Sequence, residues 1–442
     1  MDLTTALALV IFLATIAAVV TGVIETTVAA LLGVGLMVWV GIMTEREAFL
    51  YVDWNVMAIL VSIWIIAGYF GKTGVPEWLA ARALRLSGGR PGRLVMILSF
   101  LSGVLSMFID NVVVILMMAP VAIPLARHLG MPLLPVVLMI GFSANFMGTA
   151  LLLGDLPPQM LHSVSGAEFM DFIWFQGRPS SFPILMVTFL ITLAAMYVYA
   201  FRTQRAVART GVGESLTELG IDSTIRDRRF ATIVIGFFAA TVVAMAFREV
   251  LDVLLGFIAL SGALALVLTL EIVYRHRPKP EFETILTELD WRAILFYIAL
   301  FSLVGGLEKV GILEHLAHAL TPLFRQNLLL GATLLYWVTI PIVGIVEHDA
   351  YILTFLYTIR DLKEQGVDPW PLWWMLVWAG TLGSNLTVAG APALFVALNI
   401  CEREDKCKIP LRQFLRYSVP FTVVACVVCY VLGVLVWVLP YA

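Results

Sequence analysis

Charge is what this sequence has least of: 13% of its 442 residues are Asp, Glu, Lys or Arg, against about 25% in soluble domains. With 61% hydrophobic residues and a mean hydropathy of +0.95, that scarcity excludes a water-soluble fold, which could not hide so much apolar surface. Cysteine is also sparse, and four residues do not make a disulfide scaffold. Cys426 and Cys429 form a C-x-x-C inside the last apolar run, with no second Cys or His pair beside it. This reads as packing rather than redox or metal chemistry. Cys401 and Cys407 fall in a loop expected to be cytoplasmic, where thiols stay reduced. Walker, H-E-x-x-H and G-x-S-x-G motifs are missing, so no cofactor, no metal centre and no soluble-enzyme chemistry is expected. His315 and His318, beside Glu314, read as a solvated helix face.

Long apolar runs fill the space that charge leaves. Leu3 to Thr21, Thr27 to Gly41, Pro183 to Phe201, Ala231 to Phe247 and Ser418 to Leu439 approach or reach the roughly 20 residues that cross a bilayer. In lipid they must be helices, because nothing else satisfies their backbone groups. The first run lacks both a preceding basic region and an A-x-A-like site, so it reads as a permanent span and not as a signal peptide. Basic residues mark cytoplasmic loops, and 21 of the 28 fall in alternate loops at Lys72–Arg93, Arg127, Arg202–Arg229, Arg275–Arg292 and Arg403–Arg416. The other seven, among them Arg46, Arg248, Lys309 and Arg360, lie on the opposite side. One topology fits: an all-α integral membrane protein with about ten transmembrane helices and both termini outside. It requires that Leu94–Ala126 and Asn327–Ile359 enter and return as re-entrant helical hairpins. A bacterial inner membrane, or one derived from it, is the expected location. Trp370, Trp373, Trp374 and Trp378 look like interface aromatics near the outer boundary.

Shifting the chain by 237 positions lays the stretch from Asp53 on that from Asp290 without gaps, with eight identities in 28 residues. They include Asp53/Asp290, Trp54/Trp291, Gly68/Gly305, Lys72/Lys309 and Gly74/Gly311. Since the basic-residue count puts Lys72 inside and Lys309 outside, the copies have inverted topology. The division that follows is an N-terminal span over 1–22, a first repeat over 23–201, a cytoplasmic linker over 202–229, a connecting span over 230–252 and a second repeat over 253–442.

Polar residues at membrane depth are costly and tend to mark ion or substrate paths. The first hairpin tip reads SMFIDNVVVILMMAP, with Asp110 and Asn111 between apolar arms. The next span breaks at SANFMGTALLLGDLPPQ, around Asn145, Thr149 and Asp155. In the second half the tip is PIVGIVEHDAYILTF, with Glu347, His348 and Asp349, and the broken span is WAGTLGSNLTVAGAPALF, with Ser384, Asn385 and Thr387. Gly and Pro free backbone groups there, and these can coordinate ions beside the Asn and Thr side chains. Plainer readings exist for each. Asp110 and Asn111 could simply cap a helix, Asn385 and Thr387 could join helices, Asp155 could end one, and Glu347–Asp349 could be solvated if their hairpin is shallow.

These residues resemble the ion transporter superfamily, in the branch that holds arsenite permeases, D-type sodium/proton antiporters and the melanosomal P protein. The S-x-F-x-D-N-V…P hairpin of that branch is matched by Ser106, Phe108, Asp110, Asn111, Val112 and Pro120. Its N-x-x-G-x-A-T-L-I-G-D-P-P-N span is matched by Asn145, Gly148, Ala150, Leu152, Gly154 and Asp155. Its G-x-N-x-T-x-x-G-A span is matched by Gly383, Asn385, Thr387, Gly390 and Ala391. The resemblance implies two hairpin-bearing inverted repeats, often a homodimer, moving small ions or anions.

Departures fall where substrate and coupling ion are chosen. The second Asp-Asn is replaced by Glu347-His348, followed by Asp349, a group able to load and release a proton near neutral pH. Leu151 replaces a Thr and Leu156 displaces the first Pro, which weakens the first broken span as an ion-coordinating copy. The expected function is secondary transport energised by proton or sodium, most simply sodium/proton-like antiport around Asp110, Asn111, Asn145, Glu347, His348, Asn385 and Thr387. Alternatives are an arsenite or small-anion permease, a scaffold or proton exporter like the magnetosome-membrane relative, and an intramembrane enzyme using Glu347, His348 and Asp349. Expected partners are the lipid bilayer and the small ion, with a cytoplasmic ATPase or another membrane protein left open and no nucleic acid.

Overall fold

In the computed structural model of the protein, residues 3–21, 23–202, 225, 227–275, 277–346 and 348–441 are described. Most of the 202–229 linker and Glu347 lie outside the described residues. The described residues form twenty α-helices longer than a single turn. The first ten are α1 (Leu3–Thr21), α2 (Thr26–Trp39), α3 (Glu45–Leu50), α4 (Trp54–Gly71), α5 (Val75–Ser87), α6 (Pro91–Ser106), α7 (Asn111–His128), α8 (Leu133–Met147), α9 (Leu156–Ser165) and α10 (Ser181–Met196). The second ten are α11 (Arg228–Ala246), α12 (Leu255–Val273), α13 (Phe282–Glu288), α14 (Trp291–Lys309), α15 (Ile312–Gln326), α16 (Leu328–Val343), α17 (His348–Glu364), α18 (Trp370–Ser384), α19 (Pro392–Asp405) and α20 (Leu411–Gly433). Among the described residues, seven helices are long and apolar enough to cross a membrane and five more are apolar but shorter. The protein is an all-α membrane protein.

Helix boundaries repeat with the sequence. Moving α6 and α8 by 237 residues gives the bounds of α16 and α18 at both ends. The identities between the copies have structural causes. Asp53 and Asp290 cap α4 and α14 by accepting from the amides of Val56 and Ala293, each at 3.0 Å. The Trp54 and Trp291 indoles donate back to the carbonyls of Phe49 and Leu286 at 3.1 and 2.9 Å, which fixes the elbow between a short helix and the span after it. Gly74 and Gly311 turn the chain at φ of 78° and 72°, a region in which other residues are strained. Gly68 and Gly305 leave room for Ile285 and Tyr51, which approach the glycines so closely that any Cβ would collide.

Two ion pairs set the relative direction of the halves. Lys72, just past the end of α4, meets Glu288 before the start of α14 at 2.6 Å, and Lys309 at the end of α14 meets Glu47 before the start of α4 at 2.6 Å. The two helices therefore run antiparallel and the repeats are inverted. The halves are also exchanged, because α2 and α3 pack on α14 while α12 and α13 pack on α4. All described ion pairs between loops distant in sequence, including Arg127–Glu404, Arg248–Glu168 and Arg360–Glu308, join loops that the basic-residue count puts on the same side.

Both hairpins are present as helix pairs, the first broken at residues 107–110 and the second after Val343, with 344–346 outside either helix. Proline inside α7, at Pro120 and Pro124, removes amide donors from the first return arm. The tryptophans differ from expectation. Trp374 and Trp378 are fully buried and Trp373 is 3% exposed; Trp374 packs against Phe172 and Trp437, and the half-buried Trp370 against Phe175, so the cluster is protein core and not a lipid-facing belt. A short antiparallel pair, Trp174–Phe175 with Arg178–Pro179, covers that cluster.

The Glu47 carboxylate, in the loop helix α3, is held down at about 2 by its bond to the Lys309 ammonium and then by the Thr44 amide and hydroxyl. A depressed carboxyl stabilises fully above its unfolded value and loses the contribution as pH falls through the folded one. Glu47→Gln should therefore lower the detergent melting temperature at pH 7, and the gap to wild type should close as pH falls from 4.5 towards 2. A gap that stays constant over that window would assign the effect to something other than this pair.

Candidate functional site

The breaks in α6–α7 and α8–α9 bring polar side chains together in the interior of the protein. Asn145, on the last turn of α8, is the hub. Its carbonyl oxygen accepts from the Asn111 amide at 3.0 Å, and its own amide donates to Ser384 Oγ at 2.9 Å, Asn385 Oδ1 at 3.2 Å and the Thr381 carbonyl at 3.3 Å. The Asn111 amide also donates to Asp155 Oδ2 at 2.8 Å. Thr149 and Thr381 share a hydroxyl bond of 2.6 Å. Asn145, Thr149, Thr381, Ser384 and Asn385 are fully buried, Asn111 is 3% exposed and Asp155 4%. Six residues expected from the sequence thus fall into one network that ties the first hairpin to both broken spans.

Close backbone approach makes this geometry possible. A Cβ on Gly154 would lie 2.2 Å from the Ser106 carbonyl oxygen and 2.5 Å from that of Gly148, and one on Gly390 would lie 2.3 Å from Ser384 O and 2.7 Å from Val343 O. The two glycines play the same part in the two halves, although the second connection is one residue shorter.

Asp110 stands in two settings at once. Its carboxylate caps α7 by accepting from the Val112 and Val113 amides at 2.9 and 3.3 Å. It also lines a cavity of about 490 Å³ between α4, α7, α13 and α14. Glu77, Glu288 and Asp290 line the same cavity against one lysine, Lys72. The exposed Lys72–Glu288 pair marks its mouth. At the other end of α4, about 27 Å away for eighteen residues at 1.5 Å each, the same layers are tied together. Ser163 donates to Asp53 at 2.5 Å, the Asn55 amide lies 3.3 Å from His162 Nε2, and Arg360 on α17 pairs with Glu308 on α14 at 2.7 Å.

The second hairpin contributes differently. His348 and Asp349 are each 1% exposed, so a shallow, solvated hairpin does not apply. His348 Nδ1 lies 3.0 Å from the Gly390 carbonyl and its Nε2 3.4 Å from Asp349 Oδ1. Thr387 is half-buried and donates to the Gly344 carbonyl, bracing the hairpin against the broken span and not turning to Asn145. Sequence reasoning missed Thr381, Trp64 and Gln159. Thr381 had a visible signal, a hydroxyl one helical turn before Asn385; the other two had none outside the fold. The described Cys426 and Cys429 are buried beside Tyr336, whose hydroxyl donates to the Cys426 carbonyl at 2.9 Å, a packing role. His318 and Glu314 are exposed, 3.6 Å apart.

Hairpins with broken spans, a buried polar hub and a cavity that reaches Asp110 at the first hairpin tip describe a polytopic membrane protein, and its relatives place it among transporters. Residues 12–379 match the citrate transporter family, CitMHS, and the chain belongs to that family. It is 30% identical over 429 residues to an uncharacterized transporter of Mycobacterium tuberculosis, covering 95% of both chains. It is 28% identical over 439 residues to the 46 kDa membrane protein of Mycobacterium leprae, covering 98% of each. It is 25% identical over 491 residues to the human P protein, covering 93% of this chain and 57% of that one.

Proposed function

We propose that this transporter exchanges protons for a small cation, with Asp110 as the charged group that both ions compete for. The observation that supports this most is the cavity of about 490 Å³ that leads to Asp110 through Glu77, Glu288 and Asp290, with Lys72 the one basic side chain in its lining. Four carboxylates focus a negative potential that draws cations in and repels anions. Asn111, Asn145 and Asp155 hold the tip behind Asp110. Under the positive-inside assignment the cavity faces the cytoplasm, and Arg360, Asp53 and His162 close the outer side.

The family's description as citrate transporters supports a second reading, uptake of a small carboxylate, for which Lys72 would be the recognising cation. Purified protein in liposomes with an internal pH dye separates the two. Under an imposed proton gradient, sodium, lithium or potassium should dissipate it within the first minute of addition. Silence towards every cation, with accumulation of labelled citrate or arsenite, would move the protein to anion transport.

The outer closure makes a further prediction. In a Cys407→Ser background, a Ser163→Cys probe should react with a membrane-impermeant maleimide several-fold faster when Arg360→Ala removes its bonds to Glu308 and Asp361. An unchanged rate would mean that Arg360 does not hold that side shut.

A further inference from the structure

Beyond the cavity lies a second, narrower space. Trp64 and Asp110 line both, and the inner crevice is completed by Asp155, Gln159 and Gly154 with the apolar Leu60, Ile63 and Leu153. It is too tight to admit a water-sized sphere. Two of the residues that line it carry a polar atom with no hydrogen-bond partner, Gln159 Oε1 and Trp64 Nε1, and these residues are only 1% and 4% exposed. An amide oxygen left without a partner in such a place carries its full desolvation penalty. Native proteins keep few such atoms, and ion binding is one of the reasons they do.

The donor set identifies the ligand chemistry. Two carboxylates and an amide carbonyl are all hard oxygen donors, suited to an alkali or alkaline-earth cation. Magnesium dehydrates reluctantly and keeps several waters, for which this crevice has no room. A monovalent ion that exchanges its hydration shell for protein oxygens fits better. The indole N–H of Trp64 is a donor and cannot ligate a cation.

We infer that a dehydrated monovalent cation of sodium or lithium size is held between Asp110, Asp155 and Gln159, and that the Gln159 amide oxygen discriminates this cation from a proton. The inference rests on the cation-exchange reading and adds an inner site to it. A proton needs only a carboxylate oxygen, whereas a cation stripped of water needs further oxygens around it. Gln159 supplies one without adding charge, so it raises cation affinity and leaves proton binding alone.

The test is equilibrium binding of radioactive sodium, with lithium competition, to the full-length protein in detergent at pH 8, alongside the liposome assay. Gln159→Met keeps the side chain's length and removes the amide, and Gln159→Leu serves if that variant does not fold; melting temperature and a monodisperse elution profile are the controls. Sodium affinity should fall tenfold or more in the folded variant, while Asp155→Asn loses it further. Sodium affinity within threefold of wild type in a folded Gln159 variant would overturn the inference, as would a wild-type protein that binds neither sodium nor lithium. Both outcomes leave exchange of another cation to the liposome assay, where retained exchange in Asp110→Asn would sink the broader reading instead.

Discussion

Replacing Asp110 with Asn should abolish exchange and leave a folded protein. Asn caps a helix as well as Asp does, and its carbonyl oxygen can still accept from the Val112 and Val113 amides that Asp110 now holds. The structural role is thus preserved and the charge alone is removed. At an effective dielectric of about 20, one unit charge 4 Å from a cation is worth about 4 kcal/mol, on the order of a thousandfold in affinity. Asp110→Asn in liposomes should therefore show no cation-driven loss of a proton gradient at concentrations that saturate the wild type, with an unchanged melting temperature. Asp110→Ala, which also loses the cap, should in addition melt lower, by about 0.5–2 kcal/mol of stability. Full activity in Asp110→Asn would falsify its assignment as the ion-binding charge and leave it a cap alone.

Gly154→Ala should be strongly destabilising for a single added methyl group. The new carbon would sit 2.2 Å from one backbone oxygen and 2.5 Å from another, and no side-chain rotation relieves contact with backbone. Overpacking usually costs about 1–3 kcal/mol; here the strain falls on the seam between the first hairpin and the first broken span, so the top of that range or more is expected. The purified variant should melt well below wild type or fail to elute as a single species. Gly390→Ala, with contacts of 2.3 and 2.7 Å, should behave alike, whereas Gly236→Ala, which has nothing within 4 Å, should be close to neutral. Wild-type stability in Gly154→Ala would mean that the seam is not packed as described.

Much of the fold was legible because the bilayer forbids alternatives. Apolar length, basic-loop bias and the 237-residue repeat each follow from a constraint that acts on local sequence, and the ion pairs Lys72–Glu288 and Lys309–Glu47 agree with the topology they imply. The exchange of α2 and α12 between the halves was not legible, since nothing in an apolar helix says which of two similar partners it will pack on. The tryptophans of α18 misled for a related reason: a Trp-rich turn suits a membrane interface and an aromatic core equally, and only the neighbours Phe172, Phe175 and Trp437 decide.

The candidate site divides along the same line. By itself the sequence determined that Asp110, Asn111, Asn145, Asp155 and Asn385 sit at breaks in apolar helices, because Gly, Pro and Asn interrupt a helical pattern wherever they occur. Only the tertiary structure decided that Asn145 bonds to Asn111 on one side and to Asn385 and Ser384 on the other, that Thr387 turns to the Gly344 carbonyl instead, and that Trp64 and Gln159 close a crevice beside Asp110. Membrane burial is dictated residue by residue along the chain. Which buried polar groups meet depends on how separate helices cross, and that is settled only when the two repeats pack together.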